Sequence, residues 1–301
     1  MKKSLAAICF MTALTVLAAS GCGNSGSTDK ERSKDVGSSV SAETEEQAAA
    51  EDTQTETAAE QPPETKTAET VIGEGLENTC ELFSGDYTYK VKTTFSDTPD
   101  EEVETVMKKQ GDKVYITYTE KGSKKPDRAY YFDGTTAYDI DFGLKIYSKR
   151  EVWDDYNLIL SLISKDPENT EAHPAEDDEY STEQYTYPGD TYITVFDFRF
   201  DKKDNTLKDY TVTYTVEGED DIVQSCKVEK LQTGAEIKSE PLEKLEDFGS
   251  FSEDRRLSFC LGICSDYGIS TDNMYEMDIT TDDLKHIDYD KFTELVYTYG
   301  K

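Results

Sequence analysis

Gly85–Phe95 reads "GDYTYKVKTTF". Tyr87, Tyr89, Val91, Thr93 and Phe95 fall on one side of an extended chain, and Thr88, Lys90, Lys92 and Thr94 fall on the other. That alternation is the period of two of a half-buried β-strand. It repeats downstream: Val114, Ile116 and Tyr118 share a face, as do Phe196, Phe198 and Phe200. Tyr210, Val212, Tyr214 and Val216 lie opposite Thr211, Thr213 and Thr215. Short turn signals separate the runs, among them Gly111-Asp112, Asp133-Gly134, Pro188-Gly189, Asp204-Asn205 and Gly218-Glu219. Connections this short join only antiparallel neighbours. The sequence therefore predicts a mainly β (α+β) fold, a curled antiparallel sheet or half-barrel of about nine strands.

The apolar concave face of such a sheet has to be covered. Four segments are predicted as helices packed on it. The first is Leu76–Phe83, directly ahead of the first strand. The second, "VWDDYNLILSLISK", has Val152, Tyr156, Ile159, Leu160 and Ile163 on one stripe, Asp154 and Asp155 in its first turn and Pro167 as a stop. The third runs from Ser252 as N-cap to about Tyr267 with Gly268 as terminator, and the fourth from Asp288 as N-cap to about Tyr299.

The first 75 residues have another character. Met1-Lys2-Lys3 followed by the apolar Leu5–Ala19 reads as a secretory signal peptide, too short for a comfortable membrane span, and assigned to residues 1–21. Ala18-Ala19-Ser20-Gly21-Cys22 resembles a bacterial lipobox, with Ala19 where leucine is usual. The resemblance implies cleavage before Cys22, acylation of its sulfur and new N-terminus, and a membrane partner held through the lipid at the extracytoplasmic face. Each buried acyl methylene contributes about 0.8 kcal/mol, so two or three chains hold firmly. From Gly23 to Gly75 there are thirteen Asp and Glu against four Lys and Arg, a balance of −9, with almost no large aliphatic side chain. Residues 22–75 are expected to be the lipidated cysteine and a disordered acidic tether. A coil of about fifty residues spans roughly 40 Å root-mean-square.

Residues 76–301 form the folded domain. The whole chain carries a formal net charge of −32; such a balance argues against nucleic acid or anionic headgroups as partners and for a well-hydrated exterior. The sequence specifies no protein partner. Catalytic signatures are lacking. His173 and His286 are the only histidines, neither has a nucleophile at a recognisable spacing, and no serine elbow, phosphate-cradling loop or His-Glu-x-x-His helix is present. Acid pairs are too abundant to single out any two, and the acidic runs lack calcium-loop spacing. No catalytic residue, metal or cofactor is assigned. Besides Cys9 and Cys22, the cysteines are Cys80, Cys226, Cys260 and Cys264. They read either as buried small hydrophobes or as partners in one or two disulfides, for which three pairings exist. Cys260 and Cys264 share a helical face, a spacing that suits neither a relaxed disulfide nor a zinc finger.

A helix leading into "GDYTYKVKTTF", antiparallel strands of the "GDKVYITY" and "YYFDGTTAYDI" kind, then a hydrophobic helix before the sheet resumes: over Leu76–Leu231 this order resembles the half-barrel of the LolA-like lipoprotein carriers and related lipid-carrying lipoproteins. The likeness lies in pattern and order, so no family residue transfers position by position. It implies a non-enzymatic protein that holds a lipid or other hydrophobic ligand in the concavity, under helices that act as a lid. Tyr87, Tyr89, Tyr115, Tyr118, Tyr130, Tyr138 and Trp153 are the candidates for lining it; Tyr115 and Tyr118 point to opposite faces, so at most one of that pair faces the ligand. The segment after Leu231 departs from the pattern, and its helices suggest the alternative, a tethered structural or interaction module whose core is filled by its own side chains.

Overall fold

The computed structural model describes residues 72–153, 156–157, 159, 171–176, 179–188, 192–216, 218, 220–237 and 241–300. The signal peptide, Cys22 and the tether lie outside the described residues. Helix α1 (Glu74–Ser84) precedes β1 (Tyr87–Phe95), β2 (Glu102–Gln110), β3 (Lys113–Glu120), β4 (Arg128–Phe132), β5 (Ala137–Asp141) and β6 (Ile146–Arg150). Then come β7 (Glu171–Glu176), β8 (Tyr180–Pro188), β9 (Tyr192–Asp201), β10 (Leu207–Val216), β11 (Ile222–Thr233) and β12 (Glu246–Asp247). Helices α2 (Glu253–Asp266), α3 (Thr271–Glu276) and α4 (Tyr289–Tyr299) end the domain.

These strands form one open, curled sheet in the order β12-β6-β5-β4-β3-β2-β1-β11-β10-β9-β8-β7. The meander of β1–β6 and that of β7–β11 join where β1 pairs with β11. Among the described residues the antiparallel strands number eleven against the nine or so expected, and the two-residue β12 adds a parallel rung on β6. Strand β7 accounts for part of the difference. "EAHPAE" reads by composition as an acidic loop, yet His173 stands opposite Gln184 of β8. At an edge the strand bonds on one side only, which tolerates Pro174. The turns use the residues the sequence marked: Gly111, Gly134, Asn205 and Gly218 all have positive φ.

The alternation sorts as expected. Tyr87, Tyr89, Val91 and Phe95 are buried on the concave face with Ile116, Tyr118, Phe196, Phe198, Phe200, Tyr210 and Val212. On the convex face Lys90 pairs with Glu104 at 2.8 Å and Glu229 at 3.0 Å, and Lys92 with Glu102 at 3.0 Å. Each such partly exposed pair contributes about 0–1 kcal/mol. Glu229 reaches both lysines because the β1–β11 register shifts between Lys90 and Val91, opposite Lys230 and Val228, leaving Glu229 as the extra residue of a bulge.

Helices cover both ends of the concavity. At one end α1 lays Leu76 and Phe83 on the core, Phe83 meeting the rings of Tyr87 at 4.8 Å and Tyr89 at 5.3 Å. No side chain of its own caps the start of α1. Glu183 of β8 does so instead: Gly75 N–H donates to its Oε1 at 2.8 Å and Leu76 N–H to its Oε2 at 3.1 Å, while Tyr185 Oη donates to Oε2 at 2.7 Å. A Cβ on Gly75 would lie 2.5 Å from the buried Phe200 ring, so this close approach requires glycine. At the β4–β6 end, α2–α4 pack with Leu144, Ile146 and Phe248 into a second core. Ser252 and Asp288 cap α2 and α4 as expected, and Gly268 follows α2 at φ 65°. Of the helix expected after Val152, Val152, Trp153, Tyr156 and Asn157 are irregular and Ile159 is helical; Asp154, Asp155, Leu160, Ile163 and Pro167 lie outside the described residues.

Buried acid groups tie the helical cap to the sheet. Tyr297 Oη of α4 donates to Asp141 Oδ2, whose other oxygen accepts from Leu144 N–H at 2.7 Å. Arg150 Nη1 bonds both oxygens of Asp139 at 3.1 and 3.0 Å. Burial raises the pKa of Asp141, of Asp139 and of Asp290 from the ordinary 3.8, against the pull of the Tyr297 hydroxyl on the first and of Arg150 on the other two. Between pH 3.8 and those raised values the folded chain therefore holds protons that the unfolded chain has released, so stability falls as pH rises through that window. Thermal unfolding is expected to move to higher temperature as the pH is lowered through that window toward 3.8, and Asp141→Asn to flatten the slope; a midpoint that falls steadily across the window would contradict the assignment.

Candidate functional site

Between the two helical ends, the middle of the concave face holds a pocket over β10, β11, β1, β2 and β3. It is a cavity of about 50 Å³ inside a wider hollow of about 650 Å³ that includes open solvent. Tyr89, Val91, Phe95, Met107, Tyr118 and Tyr210 supply most of its apolar wall, with Trp153, Tyr156 and Ile159 from the segment after β6. Polar atoms come from Thr93, Thr105, Asn157, Tyr214 and Gln224; among the described residues Asp, Glu, Lys, Arg and His contribute nothing to the lining.

Of the residues singled out in the sequence, Tyr89, Tyr118 and Trp153 come together here. Tyr87 lies beneath α1, donating to Met107 Sδ at 3.0 Å and accepting from Asn157 Nδ2 at 3.2 Å. Tyr130 stands behind Trp153: its Oη accepts the Trp153 backbone N–H at 3.2 Å, and the rings meet edge to face at 5.8 Å. That grip holds Trp153 in irregular backbone where sequence periodicity predicted helix. Tyr115 and Tyr138 are on the convex face, packed on Tyr131 at 5.9 and 6.2 Å. Period-two alternation puts Tyr115 opposite Tyr118 in facing, and Tyr138 follows Tyr115 because the β3–β4–β5 register aligns Tyr115, Tyr131 and Tyr138. Ile237, Leu242 and Leu245 from the segment after β11 pack against this back face.

Of the two readings of the cysteines, the structure has Cys80, Cys226, Cys260 and Cys264 as free thiols. Cys226 belongs to the concave core, whereas Cys260 and Cys264 sit in the separate core under α2–α4. Burial pushes the Cys80 thiol up to about 12, with the Glu183 charge adding to it, and the Cys260 thiol also up to about 12. Neutral, buried thiols of this kind are packing groups.

No family model matches this chain, and no curated protein matches it. Solved structures do. An uncharacterized conserved protein from Thermus thermophilus aligns with a TM-score of 0.39 at 10% identity, over 57% of this chain and 96% of that one. The lipoprotein LppX of Mycobacterium tuberculosis gives 0.34 at 9% identity, over 55% and 96%. A LolA superfamily protein from Nitrosomonas europaea gives 0.29 at 7%, over 54% and 93%. Likenesses at this level carry no inference about ligand or activity, which rests on the pocket itself.

Sequence reasoning missed the polar floor of that pocket. Thr93 Oγ1 lies 3.6 Å from Cys226 Sγ, Gln224 Nε2 donates to the same sulfur at 3.4 Å, and Tyr89 Oη donates to Tyr210 Oη at 3.3 Å. Thr105 Oγ1 is buried without a hydrogen-bond partner. The available signal was that Thr93 and Thr105 stand in phase with the apolar face of their strands, where a threonine hydroxyl must turn inward. Burial raises the tyrosine hydroxyls of Tyr89, Tyr118 and Tyr210 well above their ordinary value, so they are neutral. The site offers apolar wall, aromatic rings and uncharged hydrogen-bonding groups, which together suit binding and orientation.

Proposed function

We propose that this is a membrane-anchored extracytoplasmic lipoprotein that binds a hydrophobic or amphiphilic ligand on its concave face, without catalysis. The observation that carries this reading is the contrast between chain and pocket. A protein of net charge −32 shows no charged side chain among the described residues that line its aromatic hollow, and leaves a hydroxyl there unpartnered. The anchor rests on the lipobox-like run ending at Cys22, and the tether places the domain off the membrane surface. Among the described residues no helix is long and apolar enough to cross a membrane.

One observation favours a second reading, a tethered interaction module with a self-filled core. The cavity of about 50 Å³ has room for little more than one or two waters, so an acyl chain enters only if Trp153, Tyr156 and Ile159 give way along the wider hollow. Native mass spectrometry with lipid extraction, on the chain carrying Cys22→Ser, separates the two. A stoichiometric lipid-sized adduct is expected. A clean apo mass that persists after incubation with membrane lipids would leave the self-filled module.

A further inference from the structure

The geometry points to an uncharged ligand group in this pocket, an ester or amide whose carbonyl accepts the Thr105 hydroxyl proton; this rests on the pocket being the ligand site, as proposed above. Thr105 is 4% exposed and its Oγ1 has no partner. It stands on β2 between Val91 of β1 and Tyr118 of β3, both of which line the pocket. A buried hydroxyl left unpaired is unfavourable, and an acceptor delivered by a ligand removes that penalty. Two further donors on the same floor are held by a sulfur, which is a weak acceptor: Thr93 Oγ1 beside Cys226 Sγ, and Gln224 Nε2 donating to it. A carbonyl oxygen is the better partner for any of the three.

The charge of the group follows from the lining. Neither Lys nor Arg of the described residues lines the pocket, and the guanidinium groups of Arg150 and Arg128 are held by other partners. Arg150 is bonded to Asp139, and Arg128 lies 4.6 Å over the Tyr297 ring. Among the described lining residues a carboxylate or phosphate seated at Thr105 would find no countercharge, and burying it so is strongly unfavourable. The class that fits is an acyl ester or amide whose carbonyl lies at β2 and whose chain runs along the hollow toward Phe95 and Tyr214.

Trp153 is the chain's single tryptophan and lines the pocket, so a brominated ligand reports its own arrival by quenching. The probes are dibromostearoyl glycerol, dibromostearate anion and a dibromoalkane of matched length, titrated at mildly alkaline pH into the full chain carrying Cys22→Ser. The glycerol ester is expected to bind about tenfold tighter than the anion, and Thr105→Val to weaken the ester about tenfold while leaving the alkane unchanged, with Thr105→Ser restoring binding. Equal affinity for ester and anion, or an ester affinity that Thr105→Val does not change, would overturn this assignment while leaving the pocket a ligand site. Quenching by none of the three probes would overturn both.

Discussion

Glu183→Leu is expected to destabilise the domain by about 3–5 kcal/mol, because it strands buried donors that a carboxylate now satisfies. Its two oxygens accept from Gly75 N–H, Leu76 N–H and Tyr185 Oη, and Tyr185 in turn accepts from Gly73 N–H at 2.9 Å. Leucine fills the volume and leaves these donors with nothing. Glu183→Gln keeps one acceptor oxygen and turns an amide against the remaining donors, so an intermediate loss of about 1–2 kcal/mol is expected. Urea unfolding followed by circular dichroism gives the order; a Glu183→Leu variant as stable as the parent would mean that something else seats α1. The consequence reaches the pocket, since α1 places Phe83 against Tyr89, and Tyr89 is pocket wall.

Phe292→Ala is expected to cost about 3–5 kcal/mol, with its effect concentrated in the helical cap. Phe292 is fully buried, stacked on Phe248 at 5.6 Å and 8°, and meets Phe259 at 6.1 Å. Removing the ring opens a void among side chains from α2, α4 and the turn at Phe248, and these belong to a core separate from that beneath the pocket. Amide hydrogen exchange should therefore quicken across α2–α4 and hardly change in β1–β3. Uniform acceleration over the whole sheet would show that the two cores unfold as one unit.

Much of this fold was legible because one rule served most strands. Where every second residue is aromatic or β-branched, burial of one face follows from strand geometry alone, and both "GDYTYKVKTTF" and the Phe196–Phe200 run bury the face that alternation assigns. The caps Ser252 and Asp288 were legible for an equally local reason: a side-chain oxygen meets a backbone N–H three residues on. Long-range events left no local trace. The bulge at Glu229 inverts facing within β11, so Leu231 follows Val228 on the concave side where strict alternation would put it outside. Glu183 looked like one of many acids, and only the fold brings it to α1 from 108 residues away. Tyr115 and Tyr138 illustrate the limit for the site. Composition marks tyrosines as ligand-lining, but facing is set by register, and register put them on the back of the sheet.

The most direct test of the central claim is to grow crystals of the chain carrying Cys22→Ser with dibromostearoyl glycerol and map the bromine anomalous signal. Paired bromine peaks in the hollow bounded by Tyr89, Tyr118 and Trp153, with the ester group near Thr105, are the predicted result. Bromine bound only outside that hollow, with Trp153 still packed on Tyr130 and the cavity unchanged, would contradict it.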